Sequence, residues 1–329
     1  MSEVTIDNTG RLLLPARAIP VPSTISAAAQ RALSRPLFGP DEWPALTDVA
    51  GWKRHSAERD AVIADLLSAR LPPFSGSVVD HALSAATLYE IVPANPSEDH
   101  RQRALIYVHG GAFIFGGGSL AMRAAQPYAS LTGWTVYAID YRMPPDYPYP
   151  AGLNDTMEAY RYVIERHAPG QVAVLGFSAG AGLAAAAVLK ARDSDLPLPA
   201  AAVLLTPEVD LTESGDSFET NRDIDCVLRQ RLTPSIALYA NGHDLRCPYL
   251  SPIYGDFSRG FPPTYLQSGT RDLFLSNTVR MHRALRRAAQ TAELHVFEAM
   301  PHGGFLGAPE DQEALSEQLR FLDRYLRAG

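Results

Sequence analysis

The clearest chemical signal in these 329 residues is Gly176-Phe177-Ser178-Ala179-Gly180. A glycine two positions before and two after a serine permits a turn too sharp for larger residues, leaving the hydroxyl exposed between a strand and a helix, the nucleophile-elbow pattern. A serine hydroxyl is a poor nucleophile at neutral pH. It needs a base to take its proton and an acid to orient that base. In this strand-turn-helix setting the partners follow in the chain order serine, acid, histidine. His302, in Ala299-Met300-Pro301-His302-Gly303-Gly304, and Asp272, in Ser268-Gly269-Thr270-Arg271-Asp272, each lie just past an apolar run. Ends of strands are where open α/β sheets place their sites. The other downstream histidines, His243, His282 and His295, fall in an irregular insertion, a helical stretch and a strand. Asp244 and Asp256 are weaker rivals for the acid because both lie inside that insertion.

Acyl transfer also puts negative charge on a carbonyl oxygen, which backbone N–H donors must meet. Tyr107-Val108-His109-Gly110-Gly111-Ala112-Phe113 follows a buried-strand pattern. Gly110 and Gly111 are the expected donors there, with Ala179 after the nucleophile as a third. His109 precedes the glycines and is expected to support the loop by hydrogen bonding.

The elements that must hold these residues are legible as short apolar runs: 104–110, 134–140, 171–176, 201–207, 263–269 and 292–298. Helical stretches separate them at 120–131, 152–166, 179–192 and 277–290, and a last one runs from 309 to 328. Strand and helix in alternation predict an α/β fold with a mostly parallel sheet covered on both faces. Two extended segments between Val78 and Val92 precede the alternation. Residues 1–75 carry helix-like stretches at 23–33 and 52–70 without a catalytic pattern, and are expected to form an amino-terminal cap on a catalytic unit spanning 76–329. Residues 210–260 interrupt the rhythm and are expected to supply a second cap or lid segment.

Composition narrows the partners. Lys and Arg number 29 against 36 Asp and Glu, a net charge of −7, so no basic field exists to gather nucleic acid. Cys226 and Cys247 lack metal-site spacing and read as free thiols. The first residues lack the basic start and apolar core of a signal peptide, and no apolar run approaches the 20 or so residues that span a bilayer. A cytoplasmic protein without a membrane partner is expected. Gly116 to Ala121 satisfies G-x-G-x-x-A, with Asp140 about twenty residues on, which mimics a dinucleotide fingerprint. It does not follow its strand directly, which argues against nucleotide binding.

Together these motifs resemble the hormone-sensitive-lipase family of α/β-hydrolases. His109-Gly110-Gly111 is similar to the family's HGG signature, and Asp140-Tyr141-Arg142 with Pro145 to its Asp-Tyr-Arg-x-x-Pro segment; 206–217 and 249–272 are similar to its later blocks. The resemblance runs from about Ser77 to the end. It implies an eight-stranded, mostly parallel sheet, a helical cap built partly from the amino terminus, and Ser178, Asp272 and His302 as the triad. It also implies a serine carboxylesterase acting on short-to-medium acyl esters through an acyl-enzyme, with neither metal nor cofactor. The same triad would serve a lactone hydrolase, and a non-catalytic binding module is the remaining alternative. The partner is then a small ester or lactone, and a homodimer through the last strand and helix is a further expectation. Four features depart from the family pattern: Phe177 for a polar residue, Ala112 for a third glycine, the pair Leu273-Phe274 after the acid, and Glu208 for an aromatic. Glu208 is expected to cap the following turn, with tuning of a pKa near the site as the alternative.

Overall fold

The structure is a computed structural model that describes residues 4–39, 42–96 and 102–326. Strands β1 (Thr5–Ile6) and β2 (Leu12–Leu13) form a small antiparallel hairpin that the sequence patterning did not single out. Helices α1 (Ala27–Leu33) and α2 (Val49–Arg70) follow. The main sheet comprises β3 (Gly76–Ala82), β4 (Thr87–Pro93), β5 (Ala104–Val108), β6 (Thr135–Asp140), β7 (Val172–Phe177), β8 (Ala201–Leu205), β9 (Thr264–Gly269) and β10 (Ala292–Phe297). Its order is β10-β9-β8-β7-β5-β6-β4-β3. The strands from β10 through β6 are mutually parallel, and β4 runs antiparallel to β6 and β3.

Every residue of β5 and β8 is buried, as continuous apolar runs covered on both faces must be. Helices α3 (Ser119–Thr132), α4 (Ala151–Ile164), α5 (Ala179–Asp193), α8 (Leu275–Arg287) and α9 (Pro309–Tyr325) alternate with the strands. The expected end of the last helix at 328 lies outside the described residues. Ala-rich α5 is buried almost throughout, because small side chains let its backbone lie against β7 and β8.

Residues 210–260 carry the short helices α6 (Ser217–Thr220) and α7 (Thr233–Ala240) among loops. A separate apolar cluster joins α2, the loop after β5 and this insertion, with Trp52, Phe113, Phe218, Ile236, Leu273 and Phe274 at its centre. Both segments outside the sheet therefore meet above the loops that follow β5, β7 and β9. No helix among the described residues is long and apolar enough to cross a membrane.

Candidate active site

Ser178 sits at the tip of the turn from β7 into α5 with φ 55°, a left-handed conformation that costs a non-glycine residue about 1–3 kcal/mol. Its neighbours enforce the turn. A Cβ on Gly176 would lie 2.4 Å from the Gly180 carbonyl oxygen, and one on Gly180 would lie 2.2 Å from those of Val108 and His109. Only glycine lets β5, β7 and α5 approach this closely. The Ser178 N–H donates to the Leu205 carbonyl at 2.9 Å, pinning the elbow to β8.

The structure brings the three expected side chains together from three loops. His302 Nε2 lies 2.9 Å from Ser178 Oγ, and His302 Nδ1 lies 3.0 Å from Asp272 Oδ1. All three residues are buried. Asp272 is itself held: Ser268 Oγ donates to Oδ2 at 2.6 Å and the Phe274 N–H to Oδ1 at 2.9 Å. The rival acids do other work, since Asp244 and Asp256 accept N–H bonds from Arg246 and Ser258 in exposed turns.

A fourth buried group, which the sequence patterning missed, is Asp225 from the 210–260 insertion. Its Oδ2 accepts the N–H of Leu273 at 2.9 Å and of His302 at 3.1 Å. Its Oδ1 accepts the N–H of Val227 at 2.9 Å and of Leu228 at 3.1 Å. Burial, and then the charge of Asp272, pushes its carboxyl up to about 6. Ligand atoms of Asp225, Asp272 and His302 fall within 4.8 Å of one another, the spacing of a metal site. The carboxylate oxygens are, however, taken up by the N–H and O–H donors just named, so the cluster fits a hydrogen-bonded relay better than a ligand cage.

Gly110 and Gly111 lie beside Ser178 on the wall of one cavity, and Ala179 follows it as the first residue of α5, where helix N–H groups point outward. Gly111 has φ 121°, and a Cβ there would meet the Phe115 carbonyl oxygen at 1.9 Å. Ala112 and Phe113 also adopt positive φ, 50° and 64°. The Phe113 ring stacks on Tyr239 of α7, centroids 4.1 Å apart, which holds the strained turn from above. His109 is buried and stacked on Tyr141, its Nδ1 2.7 Å from the Gly110 carbonyl oxygen, and the Tyr141 hydroxyl donates to the His109 carbonyl at 3.0 Å. Burial pulls its imidazole down to about 4, so the ring is neutral near pH 7.

The departures now have contacts. Phe177 packs beside His302 with centroids 5.7 Å apart, and Cβ atoms on Gly110 and Gly303 would lie 2.6 and 2.8 Å from its ring. An apolar wedge thus stands where the family resemblance implies a polar group. Glu208 does not cap the following turn. That bond comes from Asp210, whose Oδ1 accepts the Thr212 N–H at 3.1 Å, while both Glu208 carboxyl oxygens are buried without a partner among the described residues. Burial, then repulsion from Glu213, raises the Glu208 carboxyl well above the usual range, which favours its neutral form. The Gly116–Gly118 turn is filled by carboxylates of the chain itself: Asp60 accepts the Gly116 N–H at 2.7 Å and Asp140 the Gly118 N–H at 2.8 Å. Asp140 thereby faces a turn rather than the ribose a dinucleotide site would offer it.

The cavity over Ser178 has a volume of about 330 Å³. Its roof comes from Leu37, Phe38, Ile63 and Leu66, with Val227 and Leu228 contributed by the insertion. Ser178, His302 and the glycine loop also line the cavity, with His55 and Arg59 from α2.

A family model described as the alpha/beta hydrolase fold matches residues 105–306. An acetyl-hydrolase of Streptomyces hygroscopicus is 38% identical over 202 residues, covering 60% of this chain and 66% of that protein. A carboxylesterase of Mycobacterium tuberculosis is 30% identical over 237 residues, covering 68% of this chain and 74% of that one. Among solved structures, one esterase superposes with a TM-score of 0.85 at 34% identity, covering 96% of this chain and 99% of its own. Another, an esterase from the bacterial hormone-sensitive lipase family, gives 0.79 at 26% identity, covering 92% and 99%. The chain belongs to the hormone-sensitive-lipase family of α/β-hydrolases.

Proposed function

We propose that this chain is a serine carboxylesterase that hydrolyses short-to-medium acyl esters of small molecules. The observation that carries the reading is the unbroken line of hydrogen-bonding contacts Asp272–His302–Ser178, at 3.0 and 2.9 Å, on the floor of a bounded apolar cavity. With the His302 Nδ1 proton donated to Asp272, Nε2 is free to accept the Ser178 proton as Oγ attacks the ester carbonyl. The N–H groups of Gly110, Gly111 and Ala179 then receive the oxyanion, each such donor contributing roughly 10²–10³-fold in rate. The His302 imidazolium returns its proton to the departing alcohol. Water, deprotonated by the same imidazole, hydrolyses the acyl-enzyme and restores the serine. The neutral His109 takes no part in these transfers and supports the glycine loop.

Substrate size follows from the roof. A cavity near 330 Å³ lies at the small end of ligand pockets, which run from about 300 to 1,000 Å³. Residues up to 75 and from 210 to 260 act as the two cap segments that close it, and the apolar lining accepts the acyl chain. Two free thiols, Cys226 and Cys247, agree with a reducing, cytoplasmic setting.

The test is initial rates on p-nitrophenyl esters from acetate to palmitate, for the wild type and Ser178→Ala side by side. The reading expects turnover of short chains, falling toward the long ones, and its loss in the variant. Folded wild-type protein that is inactive on all of these esters but opens small lactones would shift the assignment to lactone hydrolysis on the same triad.

A further inference from the structure

The catalytic base and acid stand on two separate loops, after β10 and after β9. Near the strand ends the loops are joined by the Arg271 N–H to the Met300 carbonyl at 3.2 Å and the Ala299 N–H to Thr270 Oγ1 at 2.8 Å. At the catalytic residues themselves a single atom from a third segment bridges the two backbones. Asp225 Oδ2 receives both the Leu273 N–H, next to Asp272, and the His302 N–H, at 2.9 and 3.1 Å. Its other oxygen receives the N–H groups of Val227 and Leu228, whose side chains line the cavity. A carboxylate offers about four lone-pair directions, and here each is used by a backbone donor. The loops it joins are far apart in sequence, and the carboxylate comes from neither.

We propose that Asp225 is a positioning residue for the reaction: it fixes the separation of the loops bearing Asp272 and His302 and ties both to the cavity wall formed by Val227 and Leu228. This rests on the esterase reading for its kinetic test, but the geometric claim stands separately. An asparagine in its place keeps one acceptor oxygen and turns an NH₂ toward N–H donors, so either the two catalytic loops or the Val227–Leu228 wall must let go, and the tie between them is broken. Displacing a catalytic group by about 1 Å costs on the order of 10²-fold. The effect should fall on kcat, because Asp225 touches neither the scissile bond nor the acyl chain.

The experiment compares the wild type, Asp225→Asn and Asp210→Asn. Asp210 belongs to the same insertion and pairs with Arg280 outside the cavity, so its variant reports the cost of merely loosening the segment. Three readings are taken on each: kcat and KM on p-nitrophenyl butyrate, the rate of Ser178 labelling by a fluorophosphonate, and the downfield proton NMR resonance of the His302–Asp272 bond. The proposal expects kcat of Asp225→Asn to drop about 10- to 100-fold with KM within about threefold, labelling to slow in step, and the resonance to shift or broaden. Asp210→Asn should melt at a lower temperature with kcat and resonance unchanged. If Asp225→Asn is not recovered folded, Asp225→Ser, whose hydroxyl can still accept an N–H, is judged by the same readings. The proposal is overturned if the folded Asp225 variant keeps kcat within about twofold and the resonance does not move, or if Asp210→Asn lowers kcat as much. A wild type that neither turns over esters nor is labelled at Ser178 sinks the esterase reading instead, and the resonance alone then decides the role of Asp225.

Discussion

The sheet edge that carries Ser178, Asp272 and His302 and the segments that roof it are held in place by different forces. At the edge the backbone itself is packed: added Cβ atoms at Gly176, Gly180 and Gly111 would all come within 2.4 Å of carbonyl oxygens. Ser178, Ala112 and Phe113 hold positive φ, and Asp272 has hydrogen bonds to three different residues. The roof is joined mainly through side chains. Of the 22 residues of α2 only Gly51, Trp52 and His55 are buried, and it lines the cavity with Ile63, Leu66 and Leu67 beside His55 and Arg59. Directional bonds at the edge tolerate almost no displacement, whereas apolar contact can change shape at modest cost. Chemistry and selectivity should therefore respond to different substitutions.

The largest effect belongs to the edge. Ser178→Ala should lower kcat by about 10⁴–10⁶-fold, as loss of a triad member does, with the melting temperature nearly unchanged because one oxygen leaves without opening a cavity. Steady-state rates and thermal unfolding check both halves. Next comes Gly111→Ala. Its methyl cannot fit beside the Phe115 carbonyl, the glycine loop must move, and kcat should fall about 10²-fold or more with little change in KM.

A roof substitution should behave otherwise. Leu66→Trp fills the cavity, so kcat/KM for p-nitrophenyl octanoate should fall at least about tenfold while that for acetate stays within about twofold. Equal losses on both esters would break the distinction between edge and roof.

The smallest effect sharpens the edge's own electrostatics. Burial raises the Glu208 carboxyl in the folded protein, while in the unfolded chain it ionises as an ordinary glutamate. Its contribution to stability is full below the unfolded value near 4.3 and is lost as pH rises toward the raised folded value. Glu208→Gln should accordingly gain melting temperature over the wild type as pH goes from 5 to 8. A difference that stays constant across that range would show that Glu208 is ionised in the folded state.

The strands and the elbow were legible because their signals are local. Runs such as 171–176 and 201–207 are apolar along their length since both faces are covered, and Gly176 and Gly180 announce a steric need at fixed spacing from Ser178. That Asp272 and His302 would meet beside Ser178 could be read from the sequence because chain order and strand ends restrict where candidate partners can stand. Asp225 carried no such mark: it lies in an irregular stretch, and its partners Leu273 and His302 are 48 and 77 residues away. The same holds for the Asp60 bond to Gly116, 56 residues on, which hooks α2 to the glycine loop. Glu208 misled for the opposite reason. A carboxylate two residues before Asp210 looks equally able to cap a turn, and both are fully buried; only the folded hydrogen-bond pattern gives the bond to Asp210.

The central claim is that Ser178 is acylated during turnover. The most direct measurement is rapid mixing with p-nitrophenyl butyrate, acid quenching within the first turnovers, and mass spectrometry of the peptide that contains Ser178. The account predicts a burst of p-nitrophenol matched by a butyryl group on Ser178, and neither in His302→Ala. Steady release of p-nitrophenol with Ser178 unmodified at every quench time, or butyryl found on another residue, would contradict it.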